Sequence, residues 1–257
     1  MKTLYSKNLI PPLVLDGLKL LGKLGVMERE TWIENFSYGT LNWKFKQLKK
    51  LIDANILKTY PSPSIQNRLI LGKRGIDILK NINSSYVTPP YAGQVDHDSS
   101  LAKILLILNQ KFKVHDFWVE KEIKSLGRDY YFFYSKSDDQ KFSDALLDIN
   151  LRGKNLKLAV EYERTGKSIE RCESILKSYS CLEKIDFVLF IVENKMIRER
   201  FMELLRRKSF PLIEKKIGFI LFEEIMDNSL NQGINRPSGY ANFADTFENI
   251  LNLRKIA

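Results

Sequence analysis

Residues 143–163, SDALLDINLRGKNLKLAVEYE, decide how this chain is read. Two runs rich in branched and aromatic residues, FSDALLDIN and LKLAVEYE, flank Arg152, Gly153 and Lys154, which predicts two antiparallel strands joined by a tight turn. Side chains two apart share a face of a strand. Asp144, Leu146 and Asp148 then lie together, opposite Ala145, Leu147 and Ile149. In the second run Leu156, Leu158, Val160 and Tyr162 form the apolar face, with Lys157, Ala159, Glu161 and Glu163 on the other.

Downstream, Lys167 to Glu183 has helical spacing, with Ile169, Cys172, Ile175, Leu176, Tyr179 and Leu182 expected inward. FVLFIV (187–192) is an unbroken apolar run of the length of a buried strand. A basic helix over Lys195 to Arg207 and a second buried strand, GFILF, follow. From Met226 onward, NQGINRPSGYANF predicts a loop and then a short helix. Upstream, Ser99 to Lys111 predicts a helix, HDFWVEKEI a strand entering a helical turn, and YYFFY a strand or buried loop. Strands alternating with helices predict an α/β (α+β) domain with a mixed sheet, spanning residues 98–257.

The amino-terminal third follows a different pattern. Leu13 to Leu21 predicts a helix stopping at Gly22 and Gly25, and Met27 to Phe36 a second helix. Ser37 or Thr40 is placed to cap a third helix, whose apolar positions are Leu41, Phe45, Leu48, Leu51 and Ile52. ILKTY, the turn PSPS and NRLIL predict a hairpin, and LGKRGIDILKNI a closing helix. That order predicts a winged helix-turn-helix over residues 1–85, with 86–97 (YVTPPYAGQVDH) as linker.

Charge is distributed unevenly. The 257 residues carry a net +10, of which residues 1–90 hold +8. A basic module of this kind points to a polyanion, double-stranded DNA, with Asn42, Lys44, Lys46, Lys49 and Lys50 on the recognition helix and Lys58 and Arg68 on the wing. A solvated lysine face on a protein–protein adapter is the alternative. No apolar run is long enough to span a bilayer and the first residues lack a signal-peptide pattern, so a cytoplasmic location without membrane association is expected. Cys172 and Cys181 match neither a zinc pattern nor a disulfide framework and read as free thiols.

Convergent acids give the second domain its chemistry. Asp144 on one strand, with Glu161 and Glu163 at the end of the next, would repel one another unless a cation neutralises them. Mg²⁺ or Mn²⁺ suits such ligands and can activate water against a phosphodiester. Lys167, just beyond, is placed to anchor the scissile phosphate or orient water. Surface strands that merely pair their charges are the alternative.

The string SDALLDINLRGKNLKLAVEYERTGKSIERCESILKSY (143–179) resembles the core of the replication-relaxation family, which includes mobilisation-protein-C-type plasmid relaxases. The pattern is D-A-L, then E-x-E-R/L-T/S-x-K-S, then a helix ending in Tyr. His97-Asp98 and the stretch Trp118, Val119, Glu120, Lys121 are similar to further family features. The resemblance implies a restriction-endonuclease-like core behind a winged helix, with Asp144, Glu161 and Glu163 as metal ligands and Lys167 as the following lysine. It also implies nicking of plasmid DNA at an origin of transfer or replication, with other mobilisation or coupling proteins as partners. Ordinary PD-(D/E)xK nucleases have Pro before the Asp and Lys two after the Glu, where this chain has Ser143 and Glu163. A DNA-binding replication accessory or regulator with a degenerate nuclease domain is therefore the alternative. A relaxase built on a histidine cluster is excluded, because only His97 and His115 exist.

Overall fold

The computed structural model describes residues 10–125, 142–151, 153–180, 182, 184–208, 210–227, 234–237 and 239–241. The chain divides into two compact units, Met1–Lys103 and Ile104–Ala257.

In the first unit, helix α1 (Pro12–Leu24) runs through Gly22 and ends at Gly25, whose left-handed φ of 82° lets its N–H close on the Leu21 carbonyl. The expected second helix is shorter than its apolar pattern. Met27–Glu28 forms a strand, β1, and α2 covers only Arg29–Asn35. Long-range pairing accounts for this, since Met27 and Glu28 lie antiparallel to Leu69 and Arg68. Helix α3 (Leu41–Asp53) follows, then β2 (Leu57–Thr59), β3 (Arg68–Leu71) and α4 (Lys73–Asn81). The sheet order β1-β3-β2, with α2 and α3 before the β2–β3 hairpin, is that of a winged helix. Residues 84–91 carry no regular element, whereas helix α5 (Val95–Lys111) begins inside the expected linker.

The second unit is built on one mixed seven-stranded sheet. Strand β4 (Lys113–Val119) leads into helix α6 (Glu120–Ser125). Strands β5 (Ala145–Leu151) and β6 (Lys154–Glu163) form the expected hairpin around Gly153, whose φ of 81° suits glycine. YYFFY lies outside the described residues. Helix α7 (Ile169–Ser180) then carries the chain to β7 (Phe187–Val192), parallel to β6. Helices α8 (Lys195–Arg207) and α9 (Pro211–Glu214) lead to β8 (Ile217–Leu221), parallel to β7. After α10 (Phe222–Met226), the expected carboxy-terminal loop contains two short antiparallel strands instead, β9 (Ile234–Arg236) and β10 (Gly239–Ala241). The sheet order is β10-β9-β8-β7-β6-β5-β4, and from α5 to β7 the chain runs helix, strand, short helix, two strands, helix, strand.

In its central strands both faces of this sheet are buried, and one of them packs against helices α7, α8 and α9. Leu146, Ala159, Val188, Phe190, Phe219 and Leu221 of the sheet meet Cys172, Ile175, Leu176, Tyr179, Ile197, Phe201 and Ile213. Phe190, Phe201 and Phe219 form a ring cluster with centroids 5.0–5.8 Å apart. Ile169 departs from its expected inward place and is half exposed, at the first position of α7.

Candidate functional site

Pairing of Ala145 with Val160 sets Asp144 beside the carboxy-terminal half of β6. Its backbone is fixed from the other side, because Glu120 N–H donates to the Asp144 carbonyl at 3.0 Å. The Asp144 carboxylate accepts the Tyr162 N–H at 2.7 Å. Glu161 and Glu163 follow Ala159 at two-residue spacing, so they continue the face that α7 and α8 cover. The alternation expected of β6 puts these acids opposite its apolar face, yet Glu161 is fully buried and Glu163 is 3% exposed, because helices cover this face of the sheet too.

Each acid has a distinct partner. The Tyr179 hydroxyl of α7 donates to Glu161 Oε1. Burial, and after it the Glu161 carboxylate, push the Tyr179 phenol well above its ordinary range, so it remains a neutral donor. Lys167 Nζ pairs with Glu163 Oε2. Lys167 is itself held by its backbone, whose carbonyl accepts the guanidinium of Arg200 from α8. Next to this pair, burial first and the Glu163 charge second push the Cys172 thiol up, so this free cysteine is an unreactive core residue.

The structure thus brings Glu163 and Lys167 into contact and sets Asp144 against the backbone between Glu161 and Glu163. Among the described residues, no three His, Cys, Asp or Glu side chains are grouped so as to hold a metal ion. One feature does fit a hard cation. Glu163 Oε1 is buried without a hydrogen-bond partner, a costly arrangement for a carboxylate oxygen and one that a divalent ion would relieve. Glu163 also stands where β6, β7 and β8 end together, since it is level with Val192 and Val192 with Leu221. Ligands of open α/β sheets bind at that edge of parallel strands.

One contributor escaped the sequence and one was only half seen. Tyr179 closes the resembled pattern and could stand near the site, but its helical position favours a core residue, and nothing local marks its hydroxyl as the partner of Glu161. Arg200 lies 33 residues beyond Lys167, and only the packing of α8 joins them. Of the further expected features, His97 Nδ1 and Asp98 Oδ1 lie 3.1 Å apart in the first unit, at the start of α5. Glu120 begins α6 and pairs with Lys124 at 2.7 Å, while Trp118 carries Lys157 over its ring.

In the first unit, Asn42, Lys46, Lys49 and Lys50 are exposed on α3, Lys44 is half-buried, and Lys58 is exposed on β2. Arg68 is not presented with them. Its guanidinium lies 3.2 Å from both Glu28 and Asp96, and only 12% of the side chain is exposed. The inward face of α3 also differs from expectation. Gln47, Leu48 and Leu51 are buried, whereas Leu41 and Phe45 are exposed, as is Trp43. Gln47 is accommodated because its amide donates to the Tyr38 carbonyl at 2.7 Å. Thr40 occupies the N-cap with extended backbone, but its side chain makes no capping bond, and Ser37 Oγ is buried without a partner.

No family model matches the chain, and no curated protein matches it. Among solved structures, the crystal structure of protein VC1899 from Vibrio cholerae is similar at 11% identity and a TM-score of 0.33, over 85% of this chain and 55% of that one. This chain spans about half the length of that protein.

Proposed function

We propose that the protein is a DNA-binding, metal-dependent endonuclease whose winged helix docks on duplex DNA and whose β5–β6 acids serve phosphodiester cleavage. The observation that carries this is the buried, unpartnered Oε1 of Glu163 at the carboxy-terminal edge of the parallel strands, beside Lys167 and near Asp144 and Glu161. Asp144, Glu161 and Glu163 are the residues that would hold Mg²⁺ or Mn²⁺, which supplies charge neutralisation at a phosphodiester. Lys167 fits the role of the cation that meets a non-bridging phosphate oxygen, once released from Glu163. Tyr179 fixes the Glu161 carboxylate. The narrower assignment, a relaxase nicking one strand at an origin of transfer or replication, rests on the resemblance of residues 143–179 alone.

A second interpretation has its own support. Tyr179 already donates to Glu161 and Lys167 is already paired with Oε2 of Glu163, and Glu163 stands where ordinary PD-(D/E)xK enzymes have lysine. On this view the protein binds DNA without cutting it, as a replication accessory or regulatory protein.

Supercoiled plasmid incubated with the purified chain and Mg²⁺ or Mn²⁺ separates the two. Nuclease activity predicts conversion to open circles that Glu163→Gln slows roughly a hundredfold or more, since several kcal/mol of charge stabilisation is lost. Duplex binding should persist in that variant. Binding without nicking, across both metals and plasmids bearing candidate origins, would establish the second interpretation.

A further inference from the structure

The outer face of α3 combines a polar stripe with apolar edges. At 3.6 residues per turn, Asn42, Lys46 and Lys49 fall on one exposed stripe. Leu41 and Phe45 border it on one side, 62% and 40% exposed, and Trp43 on the other, 46% exposed. Large apolar side chains held in water on the recognition helix of a winged helix ask for a partner. The net +8 of residues 1–90 favours DNA over a protein as that partner.

We propose that this face reads A·T base pairs in the major groove, with Phe45 and Leu41 against thymine C5-methyl groups and Asn42 on adenine. An A·T pair displays adenine N6 and N7 beside the thymine O4 and methyl, and asparagine matches the adenine edge as donor and acceptor. Asn42 and Phe45 are i, i+3 neighbours in the amino-terminal half of α3, the part of a recognition helix that meets base edges. One helix face can therefore meet both halves of one pair or of adjacent pairs. Lys46 and Lys49 lie along the same stripe, toward the phosphates. The aromatic rings form edges of the stripe, with Arg29 over one face of Phe45 and Lys50 over one face of Trp43. Rings so covered are better suited to edge contacts with a duplex than to stacking on unpaired bases.

The inference rests on the proposed DNA docking of the first unit, and the experiment separates the two. The full chain is titrated, at low and at moderate salt, with fluorescent duplexes of equal length. One is mixed A·T, one is identical with deoxyuridine for thymidine, one is G·C, and a single-stranded A/T oligonucleotide is added. Each methyl buried in the contact should strengthen binding about three- to fourfold, the worth of one CH₂. The thymidine duplex should thus bind measurably tighter than its deoxyuridine twin, and Phe45→Ala should erase that difference while still binding both. Asn42→Ala should narrow the preference for A·T over G·C. Equal affinity for thymidine and deoxyuridine duplexes, with salt-sensitive binding intact, would overturn the inference and leave DNA docking standing. Tighter binding of the single strand would overturn it in favour of base stacking. No binding of any oligonucleotide at low salt would remove the docking itself, and the inference with it.

Discussion

Tyr179 and Glu161 form a buried hydrogen-bonded pair that joins α7 to β6. Glu161 has no access to water, so its carboxyl oxygens depend on hydrogen bonds from neighbouring groups. Tyr179 supplies an O–H and keeps it, because burial holds its phenol protonated far above neutral pH. Tyr179→Phe retains the ring and its edge-on contact with Phe190, 6.1 Å between centroids. The variant should therefore report the lost hydrogen bond alone. Leaving a buried carboxylate short of a donor costs about 1–3 kcal/mol, so urea unfolding of Tyr179→Phe should shift to lower denaturant by that amount without a change in slope. An unchanged midpoint would mean that Glu161 does not depend on Tyr179. The sequence marks both residues by type, yet not their relation. Two-residue spacing sets Glu161 and Glu163 on one face of β6, whereas helical spacing favours Tyr179 as core over a place near the site.

At the level of elements, the local pattern was readable wherever one helix or strand faced one environment. β7 is buried along its whole length, as its unbroken apolar run predicts, and α8 spans the predicted residues. Patterns failed where partners distant in sequence intervene. Met27–Glu28 becomes a strand because β3 pairs with it, and α3 turns Gln47 inward because the Tyr38 carbonyl satisfies its amide. A buried glutamine and exposed aromatics invert the hydropathy signal on which helical periodicity depends. Helix α8 has a further role, since it holds Arg200 against the Lys167 carbonyl. Its start is fixed by Asn194, whose side chain accepts the Ile197 N–H at 3.0 Å. Removing that cap by Asn194→Ala should cost about 1 kcal/mol, seen as a lower Tm. Asn194→Asp, still an acceptor and favourably charged at a helix amino terminus, should match the parent or exceed it. Equal melting of parent and alanine variant would show that the cap contributes nothing.

For the whole molecule, the uneven charge is the property that bears most directly on partners. Residues 1–90 hold +8 of the net +10, and among the described residues no helix is long and apolar enough to cross a membrane. Placement matters more than total, because a lysine committed to an internal pair contributes less to an outside anion. Arg68 is so committed, to Glu28 and Asp96, and Lys49 lies 3.3 Å from Asp53, whereas Lys46, Lys58 and Lys50, the last over the Trp43 ring, are exposed. Each phosphate neutralised on duplex DNA adds about 0.9 to the salt slope of binding. If Lys46, Lys50 and Lys58 all meet phosphates, changing the three to glutamine should flatten the plot of log affinity against log salt by about 2.7. Arg68→Gln should alter that slope little and should lower the Tm instead, because it removes the guanidinium that bridges Glu28 and Asp96, with Lys103 still on Glu28. The opposite pattern, a slope that follows Arg68 and ignores the three lysines, would mean that the wing rearranges on DNA and that α3 is not the docking face.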